Sequence, residues 1–282
     1  MTLSFTPIPE SDPAVVASLN RSATCGAIDA ADFPGWEKVL SDPARDPSNY
    51  MRVQGQSWSD CQAQATANGA EKREGYVKKG KTRQRSDSYA YAACEYIDQG
   101  RVGANHGTTI TAGVILQTKG IAKLSIGPGL PLEADWPYRR RTNTKEFIAD
   151  AKRVNLEQSY ISEQQPVPDF ETTLIAMAAG GSAHIGTLWS GIRWKTLGKK
   201  REMTSKGRSG GHATEGVWGE KINGAWYLKV WNSHGDAFYY VGEAMWNRLV
   251  DMKFSPFGGW LLMPEKAQER YSLADWKSKL RK

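Results

Sequence analysis

The stretch HATEGVWGEKINGAWYLKVWNS, residues 212–233, reads as two strands joined by a turn. Both arms are rich in Trp, Val, Tyr and Ile with partial period-2 alternation. Between them, Asn223-Gly224 is a pair that tolerates positive φ at both central positions of a tight hairpin. Working outward, AHIGTLW (183–189) and FGGWLLM (257–263) have the same strand texture. Upstream the texture changes. Residues 61–77 are helix formers preceded by the capping residues Ser59 and Asp60, and 86–99 is a second helix capped by Ser86 or Asp87 and stopped by Gly100. ITAGVILQTKGI (110–121) predicts a third helix, 145–160 a charged one, and 170–179 a short one ending at Gly180-Gly181. A helical half followed by an antiparallel half predicts an α+β fold of two lobes, the helical lobe over about 48–140 and the β lobe over about 165–265. Residues 1–47, punctuated by prolines, read as an extended N-terminal arm with one short helical turn at 12–19, and 266–282 as a C-terminal tail.

Composition narrows the function classes. The chain has 282 residues, 40% hydrophobic and 24% charged, with a formal net charge of +7. These values describe a globular protein that can bury a core without metal or disulfide staples. No apolar run approaches the ~18 residues that span a bilayer, and no secretory signal is visible at the N-terminus. A cytoplasmic or virion-associated location is the expectation. Cys25, Cys61 and Cys94 are too few for a disulfide scaffold and point to a reduced or reactive thiol. Lys and Arg concentrate at 72–85, at 139–141 and at 193–208. Without a zinc-finger, aromatic RNA-binding or phosphate-loop motif beside them, these read as solvated loops, and nucleic-acid binding is a minor alternative. In the 193–208 loop, the run Lys199, Lys200, Arg201 presents positive charge, and the alternative to a solvated loop there is contact with an acidic partner or an anionic polymer.

A nucleophilic thiol needs a lowered pKa, a base within reach and donors for the oxyanion. Cys61 falls at a helix N-terminus, where unpaired N–H groups favour thiolate. His212 opens a strand after Gly210-Gly211. Asn232 ends a later strand, where its amide can orient an imidazole, and Gln54 can donate to an oxyanion beside the Cys61 amide. His106 and His184 lack ligand partners at metal spacing and read as structural, while Cys94 reads as core. No metal and no cofactor is expected.

Gln54-Gly55 leading to Cys61, Gly210-Gly211-His212-Ala213 opening a strand, and Asn232-Ser233-His234-Gly235 following one together resemble the papain-like cysteine peptidases. Gly120-Ile121, Trp136-Pro137-Tyr138 and Gly180 to Ile185 resemble further stretches of that family, so the resemblance covers residues 48–265. It implies a helical left lobe, an antiparallel β-barrel right lobe and a peptide or protein substrate in the cleft between them. It also implies roles: Cys61 as nucleophile, His212 as base and then acid, Asn232 as the orienting residue, and Gln54 as oxyanion donor. The chain departs from the family at four places. Gln54 and Cys61 are one residue further apart, so that an ungapped match would put Asp60 at the nucleophile's position. Cys61 is preferred because an extra loop residue costs little. Gln62 follows the nucleophile where the family has Trp, the Asp60 charge opposes a thiolate, and His234 replaces the Trp that shields the His–Asn pair. Trp231, next to Asn232, is the tryptophan expected at the site. The competing readings are a catalytically impaired papain-fold structural or binding protein of a phage particle, and a peptidoglycan-directed amidohydrolase.

Overall fold

The structure is a computed structural model and describes residues 35–52, 55–234, 236–251 and 258–264. Seven helices are present among them: α1 (Trp36–Leu40), α2 (Cys61–Val77), α3 (Asp87–Gln99), α4 (Ile110–Thr118), α5 (Thr144–Ala151), α6 (Phe170–Ala178) and α7 (Glu243–Val250). The strands are β1 (Ile161–Pro166), β2 (Ser182–Ser190), β3 (Trp194–Leu197), β4 (Lys200–Met203), β5 (Ser209–Ile222), β6 (Ala225–Trp231), β7 (Phe238–Gly242) and β8 (Gly259–Pro264). They form one sheet in the order β1-β8-β2-β5-β6-β7-β4-β3. Every pairing is antiparallel except a single parallel bridge from Glu202 to Tyr240.

Local chemistry sets several of these boundaries. The Ser86 hydroxyl accepts the Tyr89 N–H at 3.0 Å, and Gly100 ends α3 in the left-handed region. Asn223 and Gly224 take φ values of 51° and 85°, the backbone that a two-residue hairpin needs. Other expectations are corrected. The helix expected over 145–160 stops at Ala151, because Leu130 and Glu157 then exchange backbone hydrogen bonds as an isolated bridge. The basic segment 193–208 is largely the β3–β4 hairpin instead of a loop. Within it Lys200 pairs with Glu220, and Arg201 pairs with Asp236 at 2.8 Å while stacking on Trp194. Two of its three consecutive charges are thereby answered inside the chain. The short helix expected at 12–19 lies outside the described residues. From Trp36 onward the N-terminal segment packs on the sheet, with Val39 and Leu40 in its core.

The apolar interior divides in two. One cluster joins α6, α7 and the sheet around Trp231, Trp246, Val217 and Leu261. The other joins α3, α4 and α5 around Tyr89, Leu116, Trp136 and Phe147. Helix α2 runs between them and is buried on all sides, with Ala63, Ala65, Ala67 and Ala70 against the neighbouring elements. Its polar residues are buried too. The expectation that 72–85 is a solvated basic loop therefore fails at its first half. Lys72 reaches the Gly181 carbonyl, and Arg73 reaches the Ser159 carbonyl at 2.9 Å and the Ser182 hydroxyl. Glu215 of β5 faces these cations and holds His184 of β2 at 2.7 Å. Gly69 makes the approach feasible, since a Cβ there would lie 2.6 Å from Glu215 Oε1 and 3.2 Å from Arg73 Nη1.

This crowding reverses an ordinary expectation. Alanine inside a helix normally gains about 1 kcal/mol over glycine. Gly69→Ala should instead lose about 2–4 kcal/mol in urea unfolding, because the carboxylate cannot retreat without unpairing. Gly127→Ala, with nothing within 4 Å of the added carbon, should stay within about 0.5 kcal/mol of the parent. A stabilised Gly69→Ala would show that Glu215 is free to move.

Candidate active site

Period-2 alternation along β5 decides what meets what. Ala213 and Glu215 face α2, whereas Thr214 faces the other side and meets the Tyr239 hydroxyl at 2.9 Å. Cys61, the first residue of α2, consequently meets β5 at its backbone. Its Sγ accepts the Ala213 N–H at 3.4 Å and packs with Ala65, Ile110, Val114, Trp260 and Leu262. One residue earlier, His212 Nε2 sits 2.8 Å from Asn232 Oδ1. An amide oxygen only accepts, so Nε2 carries the proton and Nδ1 carries the lone pair. Nδ1 is buried and has no hydrogen-bond partner. The structure thus brings Cys61, His212 and Asn232 to one junction, with the thiol bonded to the residue after the imidazole and not to the imidazole itself. Gln54 lies outside the described residues.

Burial governs the protonation of both the thiol and the imidazole. Cys61 is 8% exposed and His212 3%. Desolvation pushes the Cys61 thiol up to about 11, with the Asp60 charge adding to it and the Ala213 N–H opposing it. Desolvation pulls His212 down to about 3, with His234 adding to it and the Asn232 bond opposing it. At neutral pH the free site holds a thiol and a neutral imidazole.

Asp60 does not face solvent. It is fully buried, and burial pushes its carboxyl up to about 6. Its Oδ2 accepts from the Tyr138 hydroxyl at 2.8 Å and the Gln64 amide at 3.1 Å. That arrangement leaves the first turn of α2 without a side-chain cap. Tyr138 in turn stacks on Trp58, with ring centroids 4.4 Å apart.

The aromatic wall differs from expectation. Trp231 is buried in the sheet core with its Nε1 on the Arg52 carbonyl, away from the site. The ring against His212 belongs to Trp189, at 4.3 Å, with His234 at 5.1 Å. Trp189 lies far from the motif residues in sequence, and only the β2–β5 register, which sets Thr187 opposite His212, brings it there. Gln56 was also missed. It receives the Ser233 hydroxyl at 2.8 Å and donates its N–H to the Ser233 carbonyl, joining the segment before Cys61 to the one after Asn232.

Among solved structures the chain is similar to xylellain, a cysteine protease from Xylella fastidiosa, at 16% identity and a TM-score of 0.52, over 92% of this chain and 91% of that one. The fold is papain-like. The bromelain protease from Ananas comosus in complex with the E64 inhibitor matches at 16% identity and 0.52, over 78% and 98% of the two chains. Digestive procathepsin L 3 of Tenebrio molitor larval midgut matches at 12% and 0.51, over 93% and 83%. No protein-family model matches the sequence, and no curated protein is significantly similar to it. The papain-like fold places helix α2 and strand β5 side by side, which is where the sequence motifs expected the chemistry. His184 is structural in this frame, paired with Glu215, and Cys94 is core. No helix among the described residues is long and apolar enough to cross a membrane.

The Asp60 environment has a testable sign. Its folded pKa, about 6, exceeds the ordinary carboxylate value, so protonation stabilises the fold. That stabilisation is complete below the ordinary value and is lost as pH rises through about 6. Asp60→Asn, which keeps an acceptor for Tyr138, should raise the melting temperature at pH 8. The gain should correspond to about 1–3 kcal/mol and vanish near pH 4. A difference independent of pH would assign the effect to something other than the buried charge.

Proposed function

We propose that this chain is a cysteine peptidase that hydrolyses peptide bonds, with Cys61 as nucleophile, His212 as general base and then acid, and Asn232 as the residue orienting the imidazole. Gln54 enters as oxyanion donor on the sequence pattern alone. The observation that carries the reading is the His212–Asn232 bond of 2.8 Å, which leaves a bare Nδ1 one residue from the backbone that holds the Cys61 thiol.

In this reading Cys61 gives its proton to His212 Nδ1, and the sulfur keeps the bonding pair. The thiolate attacks the peptide carbonyl. Negative charge then develops on the carbonyl oxygen beside the uncapped first turn of α2, whose N–H groups are available to it. His212 returns the proton to the departing amine, leaving an acyl-enzyme. A water molecule, deprotonated by His212, releases the acid and regenerates the thiol. Asn232 accepts from Nε2–H throughout, which favours the imidazolium and keeps the ring from turning over.

Forming the pair requires a change at the Cys61–Ala213 junction, and thiol reactivity reports whether it occurs. Proton transfer inside the pair leaves its net charge unchanged, so its extent does not vary with pH around neutrality. Iodoacetamide should therefore label Cys61 at a rate with a plateau near neutral pH. His212→Ala should lower the plateau at least about tenfold and leave a rate that climbs with pH, as for an isolated buried thiol. Mass spectrometry of the labelled peptide assigns the site. A parent protein already showing the His212→Ala behaviour would favour a papain-fold binding protein over a peptidase.

A further inference from the structure

Arg52 has contacts in both lobes. Its carbonyl accepts the indole N–H of Trp231, at the end of β6, at 3.3 Å. Its guanidinium meets the helical lobe, where Nη2 donates to the Arg85 carbonyl at 2.8 Å and Nη1 pairs with Glu133. Glu71 of α2 and Asp87 of α3 stand 3.4 and 3.6 Å from the same guanidinium. Three carboxyl groups thus converge on one cation. Asp87 is the least satisfied of them: it is fully buried, and neither of its oxygens has a hydrogen-bond partner.

The other charges nearby do not restore the balance. Arg85, between α2 and α3, gives its backbone N–H to Glu71 at 2.8 Å, but its guanidinium is paired with Glu74 at 3.1 Å. The Ser88 N–H at the start of α3 and the Arg52 charge favour ionised Asp87, yet neither reaches it in hydrogen-bond geometry. Among the described residues, Glu71, Asp87 and Glu133 therefore share Arg52. Asp60 adds to the negative side at Asp87, and Arg85 opposes it at Glu71.

The geometry points to Arg52 as a latch between the lobes, closed while Glu71 and Asp87 hold a proton between them and loosened once both are ionised. With that proton present, the guanidinium answers two carboxylates, and its backbone stays seated on the Trp231 indole. Without it, three anions repel one another around a single cation in a site that excludes water. Burial pushes both Glu71 and Asp87 up to about 7, with Arg52 opposing the shift at each. Groups raised in this way stabilise the closed latch fully below the ordinary carboxylate value. That stabilisation falls as pH rises and is gone above about 7. Cys61 and His212 take no part in it, so the latch does not depend on the peptidase reading.

The test compares the full chain with Asp87→Asn and Glu71→Gln, each of which fixes one carboxyl position in a neutral form. Glu71→Gln also keeps an acceptor for the Arg85 N–H. Two quantities are read: hydrogen exchange of the Trp231 indole N–H, and the NMR titration of the Glu71 and Asp87 carboxyl carbons in the parent. At pH 8 the indole N–H should exchange at least about tenfold more slowly in both variants than in the parent, and the difference should be nearly gone at pH 4. Asp60 titrates in all three proteins and so cancels in the comparison. In the parent, Glu71 and Asp87 should titrate as a coupled pair near pH 7. A variant effect of equal size at pH 4 and pH 8 would mark a merely structural role and overturn the latch. Carboxyl carbons that both titrate in the ordinary range would overturn it as well, and that measurement decides even where a variant does not fold.

Discussion

A carboxylate with almost no access to water, Glu215, has to be answered from the helix it faces. Arg73 and Lys72 bring positive charge near it from α2, and His184 pairs with it from the neighbouring strand. An unpaired buried charge costs several kcal/mol, so the depth at which β5 meets α2 is not negotiable. That depth carries further along both elements. Glu215 is three residues from His212 on one strand, and Arg73 is on the same helix as Cys61. The charge network therefore sets the register of β5 on α2 at the point where the Ala213 N–H meets the Cys61 thiol.

The same constraint explains why α2 lacks an apolar stripe. A helix packed on one side shows polar and apolar faces, whereas α2 is enclosed between two apolar clusters and carries charge into the space between them. Alanines allow close packing wherever charge is absent. Around its C-terminal end, Glu74 collects Lys78, Arg83 and Arg85, and Glu157 shares Arg83. Much of the net positive charge concentrated at 72–85 is spent on internal pairs.

The parts of the fold legible in the sequence were those dictated by local chemistry. Asn223-Gly224 specifies its hairpin through backbone conformation alone, and Ser86 with Gly100 delimits α3 through caps. The His212–Asn232 bond was legible because both residues sit in short motifs at strand ends. What stayed hidden depended on distant partners. The β3–β4 hairpin looked like a loop because its Lys and Arg residues are stabilised by Glu220, Asp236 and the ring of Trp194, none of which local pattern can supply. Trp189 could not be told from other tryptophans without the β2–β5 register. The Cys61 environment was misjudged for a similar reason, since a helix start suggests thiolate while tertiary burial pushes the thiol the other way.

Gln56 and Ser233 have a mechanical consequence. Their two hydrogen bonds tie the segment entering α2 to the segment leaving Asn232, one strand of rope from each side of the junction. Any relative rotation that preserves both bonds must have its axis close to them. Displacement then grows with distance from that axis, as at the free edge of a door. Residues near the tether keep their spacing while those far from it travel.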